Sequence, residues 1–315
     1  MQRSCSLEYD VVCLGTCCWD TLGICEEWPQ LDQKRPLLAL EEQGGGPAAT
    51  AAAAIARLGG RVAFVGRVGD DDYGRKIRAA FEEVGVDISW GLQVVPGARS
   101  QWAFCVAQKT TGLRAILWRP PATGTIAPEE LDLGRATCAR VVLVDTHHLA
   151  AAIALVRRCR ELGIPTVADI EHPSEQGREL LQLVDFPILP EDCALKWTAE
   201  GCCEAAAKAL TQQAWGTVVV TIGARGSLAC DQNGAILYQP AFEVRPVVDT
   251  TGAGDVYHGA FAFAVARGMA LPKAMRFASA TAALSCQALG GRAGLPSLAQ
   301  VEALLQRGEK LQDNL

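Results

Sequence analysis

Along most of the chain, short β-branched runs alternate with helical runs that end in glycine, and this constrains the fold more than any other feature. "DVVCLGT" precedes "PAATAAAAIARLGG", "RVAFVGRVG" precedes "GRKIRAAFEEVGV", and "ARVVLVDT" precedes "AAIALVRRCRELGI"; "PTVADI" and "WGTVVVTIG" continue the series. Such runs form βαβ units whose parallel strands are buried on both faces under helices. The last third turns to helix after helix, through "FAFAVARGM", "LPKAMRFASATAALSCQALGG" and "LAQVEALLQRGEK".

Two stretches break the alternation. Residues 21–43 hold Trp28, Pro29, Lys34, Arg35 and Pro36 and end in "LLALEEQ", and residues 100–119 read as two strands joined by a Thr-Gly turn. They predict a small β lid outside the main sheet, built from segments 21–43 and 94–119. No repeat, low-complexity linker or domain boundary interrupts the chain, so one domain over 1–315 is expected.

Composition narrows the function classes. A net charge of −6 argues against nucleic acid as the main partner, since phosphate backbones call for a basic face. No apolar run reaches membrane-spanning length, and "MQRSCSLEYD" carries no signal-peptide hydrophobic region. The 13 cysteines are odd in number and mostly lie inside apolar segments, which predicts reduced core cysteines and a cytoplasmic location. "CLGTCC" and "GCCEA" lack zinc-knuckle spacing.

The chemistry concentrates in "VVDTTGAGDVYHGAF", residues 247–261. "PVVD" reads as a strand end, and a helix begins near Gly254. A glycine-bearing turn feeding a helix exposes backbone N–H groups at the positive end of the helix dipole, a ready anion site. Asp255 falls in the first helical turn, where it either caps the helix or does chemistry. An acid beside a phosphate cradle repels its ligand, unless its task is to take a proton from an attacking hydroxyl. Neither a G-x-x-x-x-G-K-[ST] loop nor a G-x-G-x-x-G fingerprint is present.

These stretches carry a family resemblance. "DTTGAGDVYHGAFAFAVARG" resembles the C-terminal signature of the PfkB/ribokinase family of sugar kinases. "GGGPAATAAAAIARLGGRVAFVGRVGDDDYG", residues 44–74, resembles its N-terminal signature, and "TVVVTIGARGS" its nucleotide loop. The likeness spans about residues 10–305. It implies an α/β fold, a ribokinase-like three-layer αβα sandwich with a small β-sheet lid, and transfer of phosphate from ATP with Mg²⁺ to a primary hydroxyl of a small sugar. It also implies K⁺ as a possible cation and a homodimer paired through the lid.

The resemblance assigns roles by position. Asp255 matches the catalytic base; Thr251, Gly252, Ala253 and Gly254 match the anion hole. Asp20, Gly45, Gly46 and Thr50 match sugar-binding positions, while Thr221, Gly223, Arg225 and Gly226 match the nucleotide loop. Asp249 and Thr251 lie where the family binds a monovalent cation. The family's N-x-x-E motif for Mg²⁺ is altered here to "ILPEDCALKW", which leaves Glu191 or Asp192 to serve. "GGGPAATAA", "GRVGDDD" and "GGRAGLP" (residues 290–296) resemble the sulfofructose kinase branch, implying 6-deoxy-6-sulfofructose as substrate with Lys34 on the sulfonate. The other sulfonate-holding positions fall near Trp118 and His147, with Arg119, Arg99, Arg35 and His148 as nearby substitutes. The alternatives are a kinase for a neutral ketose, keto sugar acid or nucleoside, and a non-catalytic sugar- or nucleotide-binding sensor.

Overall fold

The structure, a computed structural model, describes residues 7–110 and 114–312, with side chains through residue 307. Its strands are β1 (Tyr9–Leu14), β2 (Cys18–Cys25), β3 (Leu37–Gly45), β4 (Val62–Gly69), β5 (Leu92–Val95), β6 (Gln101–Gln108) and β7 (Arg114–Arg119). The series continues with β8 (Ala139–Val144), β9 (Thr166–Asp169), β10 (Phe186–Pro190), β11 (Val218–Thr221), β12 (Ser227–Cys230) and β13 (Ile236–Gln239). Nine of them form one sheet in the order β13-β12-β11-β10-β9-β8-β1-β4-β5. Pairing is parallel from β5 to β11; β12 and β13 add an antiparallel edge.

Alternate residues along each central strand feed different layers, as strand geometry demands. Val12, Leu14, Val142 and Val144 pack with Leu155, Val156, Ala206 and Leu210 from the helices on one face. Val11, Cys13, Val141 and Leu143 pack with Ala48, Ala52, Phe261 and Phe263 on the other. Each such fully buried aliphatic side chain stabilises the fold by about 1.5–3 kcal/mol relative to exposure. The three layers that the family resemblance implies are therefore present. Helix α1 (Pro47–Arg57) lies on the second face, with α2 (Asp72–Val84) following β4.

The lid is a separate sheet, β3-β2-β6-β7. Its boundaries differ from the expected 94–119 segment, because Leu92–Val95 pairs with β4 and extends the main sheet. The strands of the predicted 100–119 hairpin form as β6 and β7; residues 111–113 of its turn lie outside the described residues. One lid face presses Leu22, Ala103 and Cys105 toward Leu289.

Two further expectations change. "PVVD" is no strand: the Val248 N–H donates to the Cys286 carbonyl at a helix end, so the segment pairs with a helix terminus rather than a sheet edge. Eleven described cysteines are free, nine of them buried as expected, but Cys138 is disulfide-bonded. Among the described residues no helix is long and apolar enough to cross a membrane.

Candidate active site

The parallel strands end together along one edge of the sheet, the usual ligand side of such sheets. The Ala253–Ala266 helix begins there on Gly252, whose φ of 75° suits glycine. A Cβ on Gly252 would stand 2.5 Å from the Gly291 Cα, so this turn and the 290–292 segment touch backbone to backbone. The Ala253 N–H donates to the Thr250 carbonyl at 3.3 Å, and the Val256 N–H to the Gly252 carbonyl at 2.9 Å. The helix's first turn has no carbonyls one turn back, so the N–H groups of Gly254 and Asp255 remain as anion donors. Of the expected 252–254 set, Ala253 is thus the amide already engaged within the turn. Gly254 borders open space: a Cβ there would meet nothing within 4 Å.

Asp255 follows, half-buried, with its carboxylate within 4.8 Å of ligating atoms on Asp169 and His258. Burial, and then the charges of Glu171, Asp20 and Asp145, push the Asp255 carboxyl up to about 8; Arg114 pulls the other way. Asp169, the last residue of β9, is pushed well up by burial and then by Glu171 and Asp255. His258 lies 3.5 Å from Asp169 and is driven down to about 4 by burial, so it is neutral near pH 7.

Asp145 behaves oppositely. Burial favours its protonation, but the His147 side chain and the N–H groups of Thr16 and His147 outweigh burial and hold the carboxyl below its usual range. Those N–H groups lie 2.8 and 2.9 Å from it, and the Ala48 N–H at 3.3 Å adds the start of α1. Asp145 therefore pins the ends of β1 and β8 and the first turn of α1. It was missed in the sequence, although a polar residue closing the four apolar residues "VVLV" was a usable signal.

The lid contributes Asp20. Its carboxylate accepts from the Cys18 thiol at 2.8 Å, and a Cβ on Gly45 would sit 1.9 Å from it. Gly46, at φ 93°, passes so close to the Thr16 carbonyl that a Cβ would stand 2.7 Å away. Neither position has room for a Cβ. Thr50 is 2% exposed on α1, and its Cγ2 lies against Gly291.

Strand parity separates the two lid arginines. Asp20 is level with Ala103 and Trp118, so Trp118 shares its face of the sheet. Arg119, one residue on, is level with Trp102 and Trp19 on the opposite face, where it lies 5.7 Å over the Tyr73 ring. It leaves the candidate sugar site for that reason. Arg114 shares the face of Asp20, and its guanidinium donates to the Thr250 Oγ1 at 3.0 Å across the cleft. An Arg114→Ala enzyme should lose about 10–100-fold in kcat/KM, the worth of a charge-assisted bond, while Arg119→Ala stays within about twofold. Steady-state kinetics on the pair checks the parity argument directly.

Lys34 is exposed on the loop between β2 and β3, at the opposite end of β2 from Cys18. Arg35, on the same loop, faces Glu27 at 3.8 Å. His148 is buried with its Nδ1 accepting from the Ile126 N–H at 3.2 Å, a structural bond. His147 is occupied by Asp145.

On the far side, Thr221 ends β11 and leads into the 223–225 turn, with Gly226 at φ 110° where a Cβ would strike the Gln239 carbonyl. Gly223 is open to solvent. Arg225 is paired with Glu191, whose carboxylate also accepts from the Cys203 thiol at 2.7 Å. Glu191 thus already has protein partners at the position the resemblance gave to Mg²⁺, while Asp192 is exposed beside Lys196. The described acids that could share a cation are instead Asp169 and Asp255, with His258. Asp249 is buried and bridges two segments: one carboxylate oxygen accepts from the Thr251 N–H and O–H, the other from the Gly290 N–H. The expected cation pair Asp249–Thr251 is therefore bonded internally.

The chain matches the pfkB family carbohydrate kinase profile over residues 9–298. It is 26% identical to the 5-dehydro-2-deoxygluconokinase of Shouchella clausii, over 95% of this chain and 96% of that one. It is 29% identical to the ribokinase of Lactococcus lactis, over 84% and 86% respectively. Among solved structures, Arabidopsis thaliana ribokinase complexed with ribose and ATP superposes with a TM-score of 0.82 at 26% identity, covering 95% of this chain and 99% of that one. Fold, cleft and motifs agree on one conclusion: the chain belongs to the pfkB family of carbohydrate kinases.

Proposed function

We propose that this kinase transfers the terminal phosphoryl group of Mg²⁺·ATP to a primary hydroxyl of a small sugar or sugar acid, with Asp255 as the base. The observation that carries this is the placement of one acid, raised to about 8, directly beside helix-start N–H groups that suit an anion. Asp20 would grip sugar hydroxyls above it. In-line attack would place the developing phosphoryl charge on the Gly254 and Asp255 amides, with Arg114 adding positive charge at the rim. Gly223, Arg225 and Gly226 would border the nucleotide, and the divalent cation arriving with ATP would offset the repulsion among Asp169, Glu171 and Asp255. K⁺ between the 249–251 and 286–292 segments belongs to the same proposal.

For the substrate, 6-deoxy-6-sulfofructose is supported by the "GGGPAATAA", "GRVGDDD" and "GGRAGLP" stretches. Against it, Lys34 stands on an exposed loop and Arg119 faces away, which favours a neutral ketose or a keto sugar acid read through Asp20 and Arg114. ATP turnover on sulfofructose, fructose, ribose, 5-dehydro-2-deoxygluconate and adenosine decides: selective turnover of one names the class, and no turnover with any sugar sinks the kinase assignment for this chain. A homodimer through the lid is part of the proposal, because Leu38, Leu40 and Leu117 are exposed on the face of that sheet opposite Asp20.

The base assignment has a pH signature. A carboxyl raised to about 8 must lose its proton to act, so log kcat/KM for Mg²⁺·ATP, which reports the enzyme before the cation arrives, should climb with unit slope below an apparent value near 8 and level off above it. The apparent value belongs to the Asp255–Asp169–Glu171 cluster as a whole. A profile flat from pH 6 to 9 would contradict it.

A further inference from the structure

Arg292 is a buried guanidinium with no carboxylate bonded to it. It lies behind β3, where a Cβ on Gly44 would stand 2.4 Å from its Nη1, while Asp20 occupies the position a Cβ on the next residue, Gly45, would take. Successive residues of a strand present opposite faces, so cation and acid flank the same two glycines from either side. The Arg292 Nη2 donates to the Gly45 carbonyl at 3.2 Å, and its guanidinium carbon lies 5.3 Å over the Phe81 ring. Among the described residues its Nε and Nη1 have no hydrogen-bond partner. A buried charge left this incompletely paired destabilises the fold unless it serves something nearby.

We propose that Arg292 is a positioning residue for sugar recognition: it fixes the Gly44–Gly45 backbone and supplies the counter-charge to the Asp20 carboxylate on the other side of the strand. The charges and titratable groups around this pair are Cys17 and Cys18 from β2 and its approach, Cys105 from β6, Arg114 from β7 on the face of Asp20, and Asp255 from the helix start. Burial drives the Asp20 carboxyl up, and the Cys18 thiol and Arg292 are what oppose that rise. The same segment explains how the sugar side and the anion turn stay in register. Gly290 donates to Asp249, Gly291 abuts Gly252, Arg292 holds Gly45, and the Ala293 N–H donates to the Gln43 side chain at 3.1 Å. A carboxylate kept ionised accepts two sugar hydroxyls; a protonated one accepts less and competes with its own donor.

This inference rests on Asp20 gripping the sugar, and the experiment separates the two. Arg292→Gln should raise the sugar KM about tenfold or more, with the ATP KM within twofold. The acid limb of sugar binding, followed by titration calorimetry without nucleotide, should move to higher pH. Arg292→Lys, which keeps the charge, should restore most of the affinity. In an Asp20→Asn background Arg292→Gln should add little, since it acts through Asp20. Should Arg292→Gln fail to fold, Gly44→Ala decides, because its Cβ displaces the guanidinium without removing a charge: a raised sugar KM supports the role, and a sugar KM within twofold overturns it. Equal losses of sugar and ATP affinity, or full additivity with Asp20→Asn, also overturn it. If Asp20→Asn alone leaves sugar binding intact, the fault lies with the Asp20 reading instead.

Discussion

Asp255→Asn should lower kcat by about 10²–10⁴-fold, the usual worth of a positioned general base, while sugar and nucleotide still bind. The same variant should be more stable than the parent above neutral pH. The carboxyl's folded value is about 8 against 3.8 when unperturbed, so the folded chain holds its proton more tightly than the unfolded chain does. That contribution favours folding fully below about pH 4 and is lost as pH rises through about 8, where the folded protein carries a charge it resists. Asparagine removes the charge, so the variant's advantage should be absent near pH 4 and grow to about 2–5 °C in Tm by pH 8. Calorimetry at the two pH values beside single-turnover kinetics checks both halves. Activity lost with no pH-dependent gain in Tm would mean that Asp255 is not the charge the fold resists. A stabilised, fully active variant would remove it from the chemistry.

Gly252→Ala has the second large expected effect, at about 10²–10³-fold in kcat, the scale of losing an oxyanion donor. A non-glycine residue at φ 75° is strained by roughly 1–2 kcal/mol, and the added Cβ would lie 2.5 Å from the Gly291 Cα. The obstacle is backbone and cannot rotate aside. The turn must move, carrying the Gly254 and Asp255 N–H groups away from the phosphoryl position. Gly254→Ala is the matched contrast: its Cβ meets nothing within 4 Å, so it should fold normally and weaken ATP binding by obstruction alone. The prediction fails if Gly252→Ala retains kcat within tenfold, or if Gly254→Ala lowers Tm as much.

The difference between these glycines shows what a motif conveys. Both belong to "TGAG", and a sequence marks both as needing little room. That one is fixed by a loop 39 positions later, as the separation of Gly252 and Gly291 requires, and the other by open cleft is invisible until the chain is folded. Glu191 shows the same limit. Its carboxylate was read from its place in "ILPEDCALKW", but Arg225 and Cys203, distant in sequence, reach it first.

By itself the sequence determined whatever rests on neighbours along the chain. Strand and helix periods are local, so the βα alternation predicted a parallel, buried sheet. The "TTGAGD" turn is local, so a helix start with an acid in its first turn followed from six adjacent residues. The tertiary structure decided which faces meet. Arg114 and Arg119 are five positions apart on one strand, an odd separation that puts them on opposite sides of the sheet. Which side faces the cleft depends on β7 pairing with β6, and β6 with β2, which carries Asp20. That register is set by long-range packing of Leu22, Ala103 and Cys105. A one-residue slip would exchange the two arginines, and no short window of sequence contains the contacts that prevent it.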